Sequence, residues 1–301
     1  MSSIVVVGSL AYDSIYTPAG AAERALGGSS NYFSLAASMF AKVGVVGVVG
    51  EDYSPSDLEM LTQRNVDISG IEKQKGKTFH WAGRYEGDLN EAQTLVTELN
   101  VLQTFSPKLP EKLKASEYVF LANIDPELQL SVLKQVQKPK ITACDTMNFW
   151  ISSKLPQLKE VLKRVDLLLI NEGEAKILTG EANAIAATTK LTAMGPKAVI
   201  IKRGEYGFVL CYQNQLFILP AFPIAKVIDP TGAGDTFAGG VMGFLAREHD
   251  ELTFENLKQA CIHGCLLASF TVQDFGVKAL LNLNKSQMEK RHKDYLKVIS
   301  V

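Results

Sequence analysis

Cysteine, long hydrophobic runs and an excess of charge of either sign are all scarce in this chain. Its 301 residues include four cysteines, and 31 Lys and Arg stand against 32 Asp and Glu, which gives a formal net charge of −1. A nucleic-acid-binding surface usually needs a basic excess or a basic block, and a disulfide scaffold needs denser cysteines. We therefore expect no nucleic-acid partner and no disulfide framework.

The apolar runs are too short to cross a membrane. Val43–Gly50 and Leu167–Ile170 are strand-sized, whereas a membrane helix needs about 20 apolar residues. The first residues run directly into the apolar segment Ile4–Gly8 without a basic leader or a signal-type hydrophobic region. We expect no membrane partner and a cytoplasmic protein whose thiols are buried and reduced.

Short apolar runs alternate with longer amphipathic stretches along most of the chain. This alternation is typical of an α/β fold in which helices cover both faces of a mostly parallel sheet. From Gln215 to Asp229 the pattern predicts hairpin-like strands, and a largely helical segment follows. The predicted strands of the main sheet are Ile4–Gly8, Lys42–Gly50, Tyr118–Ala122, Ile141–Asp145, Leu167–Asn171 and Ala198–Lys202.

One stretch departs from this pattern. In residues 77–102, Phe79, Trp81 and Tyr85 alternate with polar or small residues, as in a strand with one solvated face. We interpret the stretch as part of a small β lid, formed from roughly residues 10–18 and 77–102 within a single domain that spans residues 1–301. A surface hairpin without function is the alternative. The exposed alternation also suggests a homodimer that forms through the lid.

The segment from Asp229 to Phe237, DPTGAGDTF, carries the strongest chemical signal. It leaves a strand-like run, Ala225–Ile228, turns through glycines that tolerate tight backbone geometry, and enters an apolar helix. The free N–H groups and positive dipole end of a helix start form an anion hole suited to a phosphoryl group. Because a carboxylate there would repel a bound phosphate, Asp235 fits better as the base for an attacking hydroxyl. The alternative is that Asp235 and Thr236 only cap the helix.

This segment resembles the C-terminal signature of the ribokinase-like (PfkB) carbohydrate kinase family. The family pattern is D-[TP]-[TV]-G-A-G-D-[TS]-F, and the chain matches it at every position. The resemblance implies a ribokinase-like three-layer sandwich with a mostly parallel central sheet and a β lid. It also implies ATP and Mg²⁺ as cofactors, Asp235 as the catalytic base, and an anion hole built from the N–H groups of Gly232, Ala233 and Gly234.

The resemblance extends to the residues that bind ATP. Asn171-Glu172-Gly173-Glu174 is similar to the family's N-x-x-E motif, which implies that Asn171 contacts ATP and that Glu174 holds Mg²⁺, directly or through water. Without the resemblance, Asn171 reads as a helix cap and Glu174 as a first-turn residue. Lys202 and Gly204 resemble a strand-to-turn passage along the nucleotide, although a plain β-turn also explains the glycine.

Two further pairs of residues are implied by the family's pattern. His263 and Gly264 fall where the family commonly has an Asn beside the adenine. In many members a monovalent cation lies near the first signature Asp and the following Thr. Asp229 and Thr231 are therefore candidates for binding K⁺.

Four residues are candidates for binding the acceptor. Asp13 follows the first strand, where the family has an Asp that bonds acceptor hydroxyls, although a turn also suits it. Gly28 belongs to a glycine pair that resembles the family's G-G-x-x-x-N motif. Aligned on that pair, the family's Asn position is Tyr32, and Asn31 lies one residue early. Because one residue rotates a helical side chain by about a quarter turn, Asn31 is not assumed to replace it, and Tyr32 either contacts the substrate or packs.

Other enzyme classes lack their motifs in this chain. Gly8–Ala11 does not have the G-x-G-x-x-G spacing of a dinucleotide oxidoreductase, no G-x-x-x-x-G-K-[ST] string is present, and the histidines do not pair at zinc-ligand spacing. The D-x-N-x-R element that commonly reads an acidic acceptor lacks its arginine in Asp145–Trp150, which favours a neutral acceptor.

We therefore predict transfer of the γ-phosphoryl group of ATP to a hydroxyl of a small sugar or related polyol. A nucleoside kinase of the same family is one alternative, because related members use the same base and anion hole. A non-enzymatic sensor that binds a nucleotide or a sugar is the other, although the presence of Asp235 favours an enzyme.

Overall fold

The centre of the molecule is a sheet of nine strands, counted among the residues that the computed structural model describes, 4–87, 89–248 and 252–300. Seven of these strands are parallel, and the last two extend one edge in antiparallel fashion. This confirms the predicted mostly parallel α/β sheet. In spatial order the strands are β13 (Gln215–Leu219), β12 (Phe208–Tyr212), β11 (Ala198–Lys202), β10 (Leu167–Asn171), β9 (Ile141–Cys144), β8 (Tyr118–Leu121), β1 (Ile4–Val7), β4 (Val43–Val49) and β5 (Asp67–Lys73).

Helices cover both faces of this sheet, which makes the predicted three-layer sandwich. Successive side chains of a strand point to opposite faces, so Ile4 and Val6 of β1 enter one apolar core and Val5 and Val7 enter the other. One face is covered by α1 (Ser29–Ala37), α2 (Pro55–Gln63), α9 (Ala233–Glu248), α10 (Phe254–Thr271), α11 (Lys278–Leu281) and α12 (Lys285–Ile299). The other is covered by α3 (Glu111–Lys114), α4 (Pro126–Leu133), α5 (Asn148–Ser153), α6 (Leu155–Leu162), α7 (Glu172–Thr179) and α8 (Ala184–Thr192).

A second, four-stranded sheet forms the lid. Its spatial order is β3 (Gly20–Gly27), β2 (Ala11–Thr17), β6 (Phe79–Tyr85) and β7 (Ala92–Glu98). The parallel pairing of β2 with β6 joins the two segments that the sequence predicts to meet. The sequence interpretation missed β3, whose residues are mostly small or charged. Every residue of β7 is exposed, as expected for a strand that packs away from the main core.

Two local predictions are wrong. Ala225–Ile228 is not a strand; the N–H groups of Ile228 and Asp229 instead donate to the Val272 carbonyl at 2.7 and 3.3 Å. The hairpin lies earlier in the chain, where β12 pairs with β13. Its two turn residues, Gln213 and Asn214, have φ values of 49° and 64°, the conformation of a tight type I′ turn. Because neither is a glycine, the turn carries a weak signal in the sequence.

Three expected absences can be compared with the described part of the chain. No helix there is both long and apolar enough to span a membrane. The cysteines there are buried and free: Cys144, Cys211, Cys261 and Cys265. No group of three or more His, Cys, Asp or Glu side chains in the same ranges is arranged to hold a metal ion.

Candidate active site

The carboxyl ends of the parallel strands meet at one edge of the main sheet. Asp145 comes directly after β9, Asn171 is the last residue of β10, and Lys202 is the last residue of β11. In open α/β sheets this edge is where ligands bind. The first turn of α9 lies against the same edge, because a Cβ at Gly234 would be only 2.9 Å from Lys202 Nζ. The sheet and α9 therefore bring several of the predicted site residues together.

Asp229 holds the loop that leads into α9. Its buried carboxylate accepts hydrogen bonds from the N–H groups of Thr231 at 2.8 Å and Gly276 at 3.0 Å. Burial raises the pKa of this carboxyl. Gly232 then takes the left-handed conformation, with φ 74°, which glycine adopts without steric cost. The first Asp of the signature thus fixes the turn from which the helix begins at Ala233.

The start of α9 presents the backbone groups predicted to form an anion hole. The Ala233 N–H already donates to the Pro230 carbonyl at 3.2 Å, and the Thr236 N–H donates to the Gly232 carbonyl at 2.8 Å. N–H groups of a first helical turn have no partner within the helix, and the helix dipole adds positive potential there. The structure therefore brings Gly232, Ala233 and Gly234 to one helix start, but gives the Ala233 N–H an internal partner.

Asp235 lies in the first turn of α9 and is partly buried. Burial and the nearby carboxylate of Asp145 raise its pKa to about 7, although the Lys202 ammonium and the N–H of Asp235 itself offset part of the rise. A general base works best when its pKa is close to the operating pH. Asp235 therefore has both the position and the pKa of a base that could accept a hydroxyl proton at neutral pH.

Lys202 and Asp145 form a buried ion pair beside that helix start. The Lys202 Nζ lies 3.0 Å from Asp145 Oδ2. Burial alone would lower the pKa of Lys202, but the carboxylates of Asp145, Glu174 and Asp235 outweigh it and raise the pKa. Lys202 therefore stays charged next to the start of α9. The sequence analysis considered Asp145 only as the first residue of the incomplete D-x-N-x-R element and did not predict its ion pair with Lys202.

Asn171 and Glu174 form a reciprocal cap at the start of α7. The Glu174 N–H donates to Asn171 Oδ1 at 2.7 Å, and the Asn171 N–H donates to Glu174 Oε2 at 2.9 Å. The capping interpretation of these two residues is thus confirmed. Burial and the Asp145 carboxylate raise the pKa of Glu174 to about 8. Their ATP and Mg²⁺ roles stay predictions.

The lid also contacts the residues at which the nucleotide is predicted to bind. A Cβ at Gly204, which has φ 53°, would collide with Asn90 Oδ1, and a Cβ at Gly173 would lie 3.2 Å from Glu91 Oε1. Asn90 and Glu91 belong to the connection between β6 and β7. The connection therefore packs directly on the two glycines that flank the predicted nucleotide site. Nothing in the sequence pattern indicates this contact, because the residues are more than 80 positions apart in the chain.

Asp13 and Gly28 lie together where β2 of the lid meets the start of α1. The buried Asp13 carboxylate accepts a hydrogen bond from the Gly28 N–H. Burial raises the pKa of Asp13 to about 7, and the carboxylates of Asp229 and Asp235 raise it further in the same direction. Asp13 is therefore close enough to Asp235 for the two carboxylates to interact electrostatically. An acceptor that binds between the two residues would explain this arrangement.

Tyr32 and Asn31 point in different directions. The Tyr32 ring packs so closely on Gly232 that a Cβ there would collide with it, so Tyr32 joins α1 to the signature loop. The Asn31 Nδ2 donates instead to the Gly27 carbonyl at 2.6 Å and to Tyr53 Oη at 3.2 Å. Asn31 is thus held by neighbouring protein groups. The quarter-turn separation anticipated between the two side chains explains the difference.

Tyr85 connects the lid to the signature loop. Thr231 Oγ1 donates to Tyr85 Oη at 3.2 Å, and Tyr85 is buried at the end of β6. Burial and then the charges of Asp229, Asp13 and Asp235 raise its pKa. A lid residue therefore lies among the carboxylates of the site. The sequence interpretation assigned Tyr85 to the lid but not to the site.

His263 lies away from these residues. Its ring stacks on Phe244 at 4.6 Å and contacts Phe40 and His292 at 5.4 and 5.1 Å between ring centroids. Phe244 follows Asp235 by nine residues, which is about 13 Å along a helix. Gly264 packs on Phe237 and Gly240, where α9 and α10 cross. His263 therefore lies away from the other predicted site residues, whereas Gly264 contacts Phe237, two residues after Asp235. The ATP-binding roles of both residues stay predictions.

The oxygen donors at this edge suit Mg²⁺ held mainly by phosphate. Glu174 and Asp145 supply carboxylates near Asp235, yet no group of three metal-binding side chains forms among residues 4–87, 89–248 and 252–300. Mg²⁺ is commonly bound by one or two carboxylates together with substrate phosphates and water. The residues therefore fit this ion when it arrives with the nucleotide.

Comparison with known proteins identifies the class to which the chain belongs. The family profile described as pfkB family carbohydrate kinase matches residues 1–283. The chain belongs to the PfkB family of carbohydrate kinases. It is therefore an ATP-binding transferase that moves a phosphoryl group to an alcohol acceptor.

Individual relatives agree with this assignment. A cytidine kinase of Thermococcus kodakarensis is 32% identical over 253 residues, which are 82% of this chain and 90% of the relative. Arabidopsis thaliana ribokinase, solved with ribose and ATP, gives a TM-score of 0.75 at 20% identity and covers 97% of this chain and 99% of its own. The provisionally named ribokinase II of E. coli, solved with ATP and Mg²⁺, gives 0.78 at 18% identity, over 98% and 100% of the two chains. These likenesses confirm the ribokinase-like fold.

Proposed function

We propose that this kinase transfers the γ-phosphoryl group of ATP to a hydroxyl of a ribofuranose-containing acceptor. A nucleoside is the first candidate and free ribose is the second. The observation that carries the proposal is the placement of Asp235, which shares the start of α9 with the Lys202 ammonium and is near the carboxylate of Asp13. The 32% identity with a cytidine kinase over most of both chains supports a nucleoside.

An aromatic pair at the same edge of the sheet also supports a nucleoside. Trp150 Nε1 donates to Asn123 Oδ1 at 2.9 Å, and its ring lies 4.7 Å from that of the exposed Phe149. Both aromatic residues follow Asp145 in the chain, and Asn123 follows the neighbouring strand β8. Aromatic rings beside polar side chains suit a planar base. The absence of an arginine in Asp145–Trp150 supports an acceptor without a phosphate.

In the proposed reaction, Asp235 accepts the proton of the acceptor hydroxyl while the hydroxyl oxygen attacks the γ-phosphorus in line. The new O–P bond forms as the bond to the β-phosphate oxygen breaks, and ADP leaves. Asp13 holds the acceptor by accepting a second hydroxyl hydrogen bond. The N–H groups of Gly232 and Gly234 and the Lys202 ammonium stabilise the charge on the transferring group. Closure of the lid excludes water.

Mg²⁺ would neutralise and orient the ATP phosphates, with Glu174 as its protein partner and Asn171, Lys202 and Gly204 near the nucleotide. Glu174→Gln would keep a neutral cap at the start of α7 but remove the charge. We expect this variant to need a higher Mg²⁺ concentration for its half-maximal rate. An unchanged Mg²⁺ titration would remove Glu174 from this role.

Three finer features complete the proposal. Asp229 and Thr231 would hold K⁺, so replacing K⁺ by tetramethylammonium at constant ionic strength should slow turnover. An equal rate would exclude the requirement for K⁺.

The exposed Leu95 and Val96 on β7 would contact a second copy in a homodimer. Sedimentation should then show a lower mass for a Leu95→Glu, Val96→Glu variant than for the wild type. With its free, buried thiols and its use of ATP, we place the enzyme in the cytoplasm.

A screen of acceptors tests the proposed function. The purified chain is incubated with Mg²⁺ and ATP and with cytidine, other nucleosides, ribose, other sugars or polyols, and the products are identified by mass. We expect phosphorylated product from at least one ribofuranosyl acceptor, with little ATP hydrolysis in the acceptor's absence. Product only from acceptors without a ribofuranose, or acceptor binding without turnover, would contradict the proposal.

A further inference from the structure

The hydroxyl of Tyr32 is buried and has no hydrogen-bond partner among the described residues. The side chain is 1% exposed. A buried hydroxyl without a hydrogen-bond partner destabilises the folded protein. Such a group in an unliganded site is explained if a ligand supplies the missing partner.

Several hydrogen-bond acceptors lie near this hydroxyl, and they already accept hydrogen bonds from protein groups. Both oxygens of Asp229 accept backbone N–H groups, and Tyr85 Oη accepts from Thr231. Asp13 accepts from the Gly28 N–H and keeps further lone pairs for a ligand. Burial raises the pKa of Tyr32 well above its usual range, and the charges of Asp13, Asp229 and Asp235 add to the rise. The Tyr32 hydroxyl therefore keeps its proton and acts as a donor.

The position of this donor is fixed. The Tyr32 ring packs against the backbone of Gly232, and the rest of α1 is buried around it. The hydroxyl therefore stays on the acceptor side of the signature loop. The Asp13 carboxylate is near enough to interact electrostatically with the Tyr32 phenol, so two adjacent hydroxyls of one ligand can satisfy both groups.

We propose that Tyr32 determines acceptor specificity by donating a hydrogen bond to one hydroxyl oxygen of a vicinal diol whose other hydroxyl donates to Asp13. This inference rests on the proposed function and narrows its substrate class to ribo-configured acceptors. A deoxy acceptor would leave one of the two protein groups unpaired, which a polar site discriminates against strongly. In this chain a phenol thus takes the place at which the family's pattern has an amide.

The test combines substrate and protein changes. The kcat/KM values of wild type, Tyr32→Phe and Tyr118→Phe are measured with cytidine, 2′-deoxycytidine and 3′-deoxycytidine. Tyr118 is a matched control because it is a buried tyrosine at the start of β8, at the opposite edge of the sheet. We expect the wild type and Tyr118→Phe to prefer cytidine over one deoxy analogue by roughly 10–100-fold.

In Tyr32→Phe this preference should collapse. Its kcat/KM for cytidine should fall to within about 2-fold of the disfavoured deoxy analogue, whose own kcat/KM should barely change, because the removed contact is one hydrogen bond. A variant that keeps the preference, or that loses activity equally on all three acceptors, would overturn the inference. If the wild type uses only free sugars, ribose and 2-deoxyribose take the place of the nucleosides.

A stability measurement makes the inference independent of turnover. Without ligand, Tyr32→Phe should unfold at the same or a higher urea concentration than the wild type, because the lost hydroxyl had no partner. A clear decrease would mean that the hydroxyl is bonded within the protein, and would refute the inference. Failure of the wild type to phosphorylate any ribofuranosyl acceptor would refute the proposed function, whereas turnover with a preference that Tyr32→Phe leaves intact would refute the Tyr32 assignment alone.

Discussion

The proposed phosphoryl-donor side and the proposed acceptor side of this kinase are built in different ways. On the donor side, contiguous segments at helix starts supply most of the groups: the loop from Asp229 to Asp235 and the cap formed by Asn171 and Glu174. On the acceptor side, Asp13 comes from β2, Tyr32 from α1 and Tyr85 from β6. A phosphate presents the same oxygens in each reaction, so backbone groups can bind it. Acceptors differ in the positions of their hydroxyls, so individual side chains must form hydrogen bonds with those hydroxyls.

The largest expected effect is on the donor side. Asp235→Asn keeps the size of the side chain but removes the base, so turnover should fall at least roughly 100-fold, as loss of a general base typically causes. ATP binding, measured by calorimetry, should change little, because the backbone N–H groups remain. Asp294→Asn, on the exposed α12, is the matched control and should keep full activity. Near-normal turnover of Asp235→Asn would remove the base assignment.

Lys202→Met tests whether the donor side also needs a side chain. The variant keeps the length of the side chain but loses the ammonium beside Gly234, so kcat/KM for ATP should fall roughly 10–100-fold, the range for a hydrogen bond to a charged group. The KM for the acceptor should change less. Lys197→Met is the control, since Lys197 lies before β11 at the opposite edge and pairs with Asp166 at 2.7 Å. Equal losses of kcat/KM for ATP and for the acceptor would contradict the division between the two sides.

The raised pKa of Asp235 predicts a cost to stability. Its pKa of about 7 in the folded protein exceeds the value of about 3.9 expected when unfolded. Between these values the folded protein binds the extra proton, so this residue's contribution to stability falls as pH rises from about 4 to 7. Asp235→Asn should therefore be more stable than the wild type at pH 8, by about 1–3 kcal/mol.

Urea unfolding at pH 5 and pH 8 measures this effect. The gain from Asp235→Asn should be smaller at pH 5, where the wild-type carboxyl is already largely protonated. Asp294→Asn should show no comparable gain at either pH. A destabilised Asp235→Asn at pH 8 would show that the carboxylate is stabilised by the fold rather than held there for the reaction.

The smallest expected effect concerns the lid. Tyr85→Phe removes the hydrogen bond from Thr231 but keeps the ring, so the KM for the acceptor should rise by roughly 2–10-fold, as for a single neutral hydrogen bond. The KM for ATP should stay nearly constant if the lid hydroxyl serves the acceptor side. Tyr206→Phe, at a tyrosine that is 61% exposed, is the control. An effect confined to ATP would assign Tyr85 to the donor side.

The division between the two sides also explains what the sequence could predict. The parallel strands, the signature loop and the Asn171–Glu174 cap are each contiguous, and local spacing was enough to find them. Asp145 and Tyr85 reach the site only because strand order and lid pairing bring them there. The partners of Asn31 and His263 were not predictable for the same reason, since a side chain's direction depends on what the whole helix packs against. Their binding roles stay predictions.

One structure would test the central claim most directly: a complex of the wild type with Mg²⁺, a non-hydrolysable ATP analogue and the acceptor chosen by the screen. We predict that the acceptor hydroxyl oxygen lies within about 3.2 Å of an Asp235 oxygen, with the terminal phosphate against the N–H groups at the start of α9. An Asp235 carboxylate that points away from the bound acceptor, or a phosphate bound elsewhere, would contradict the account.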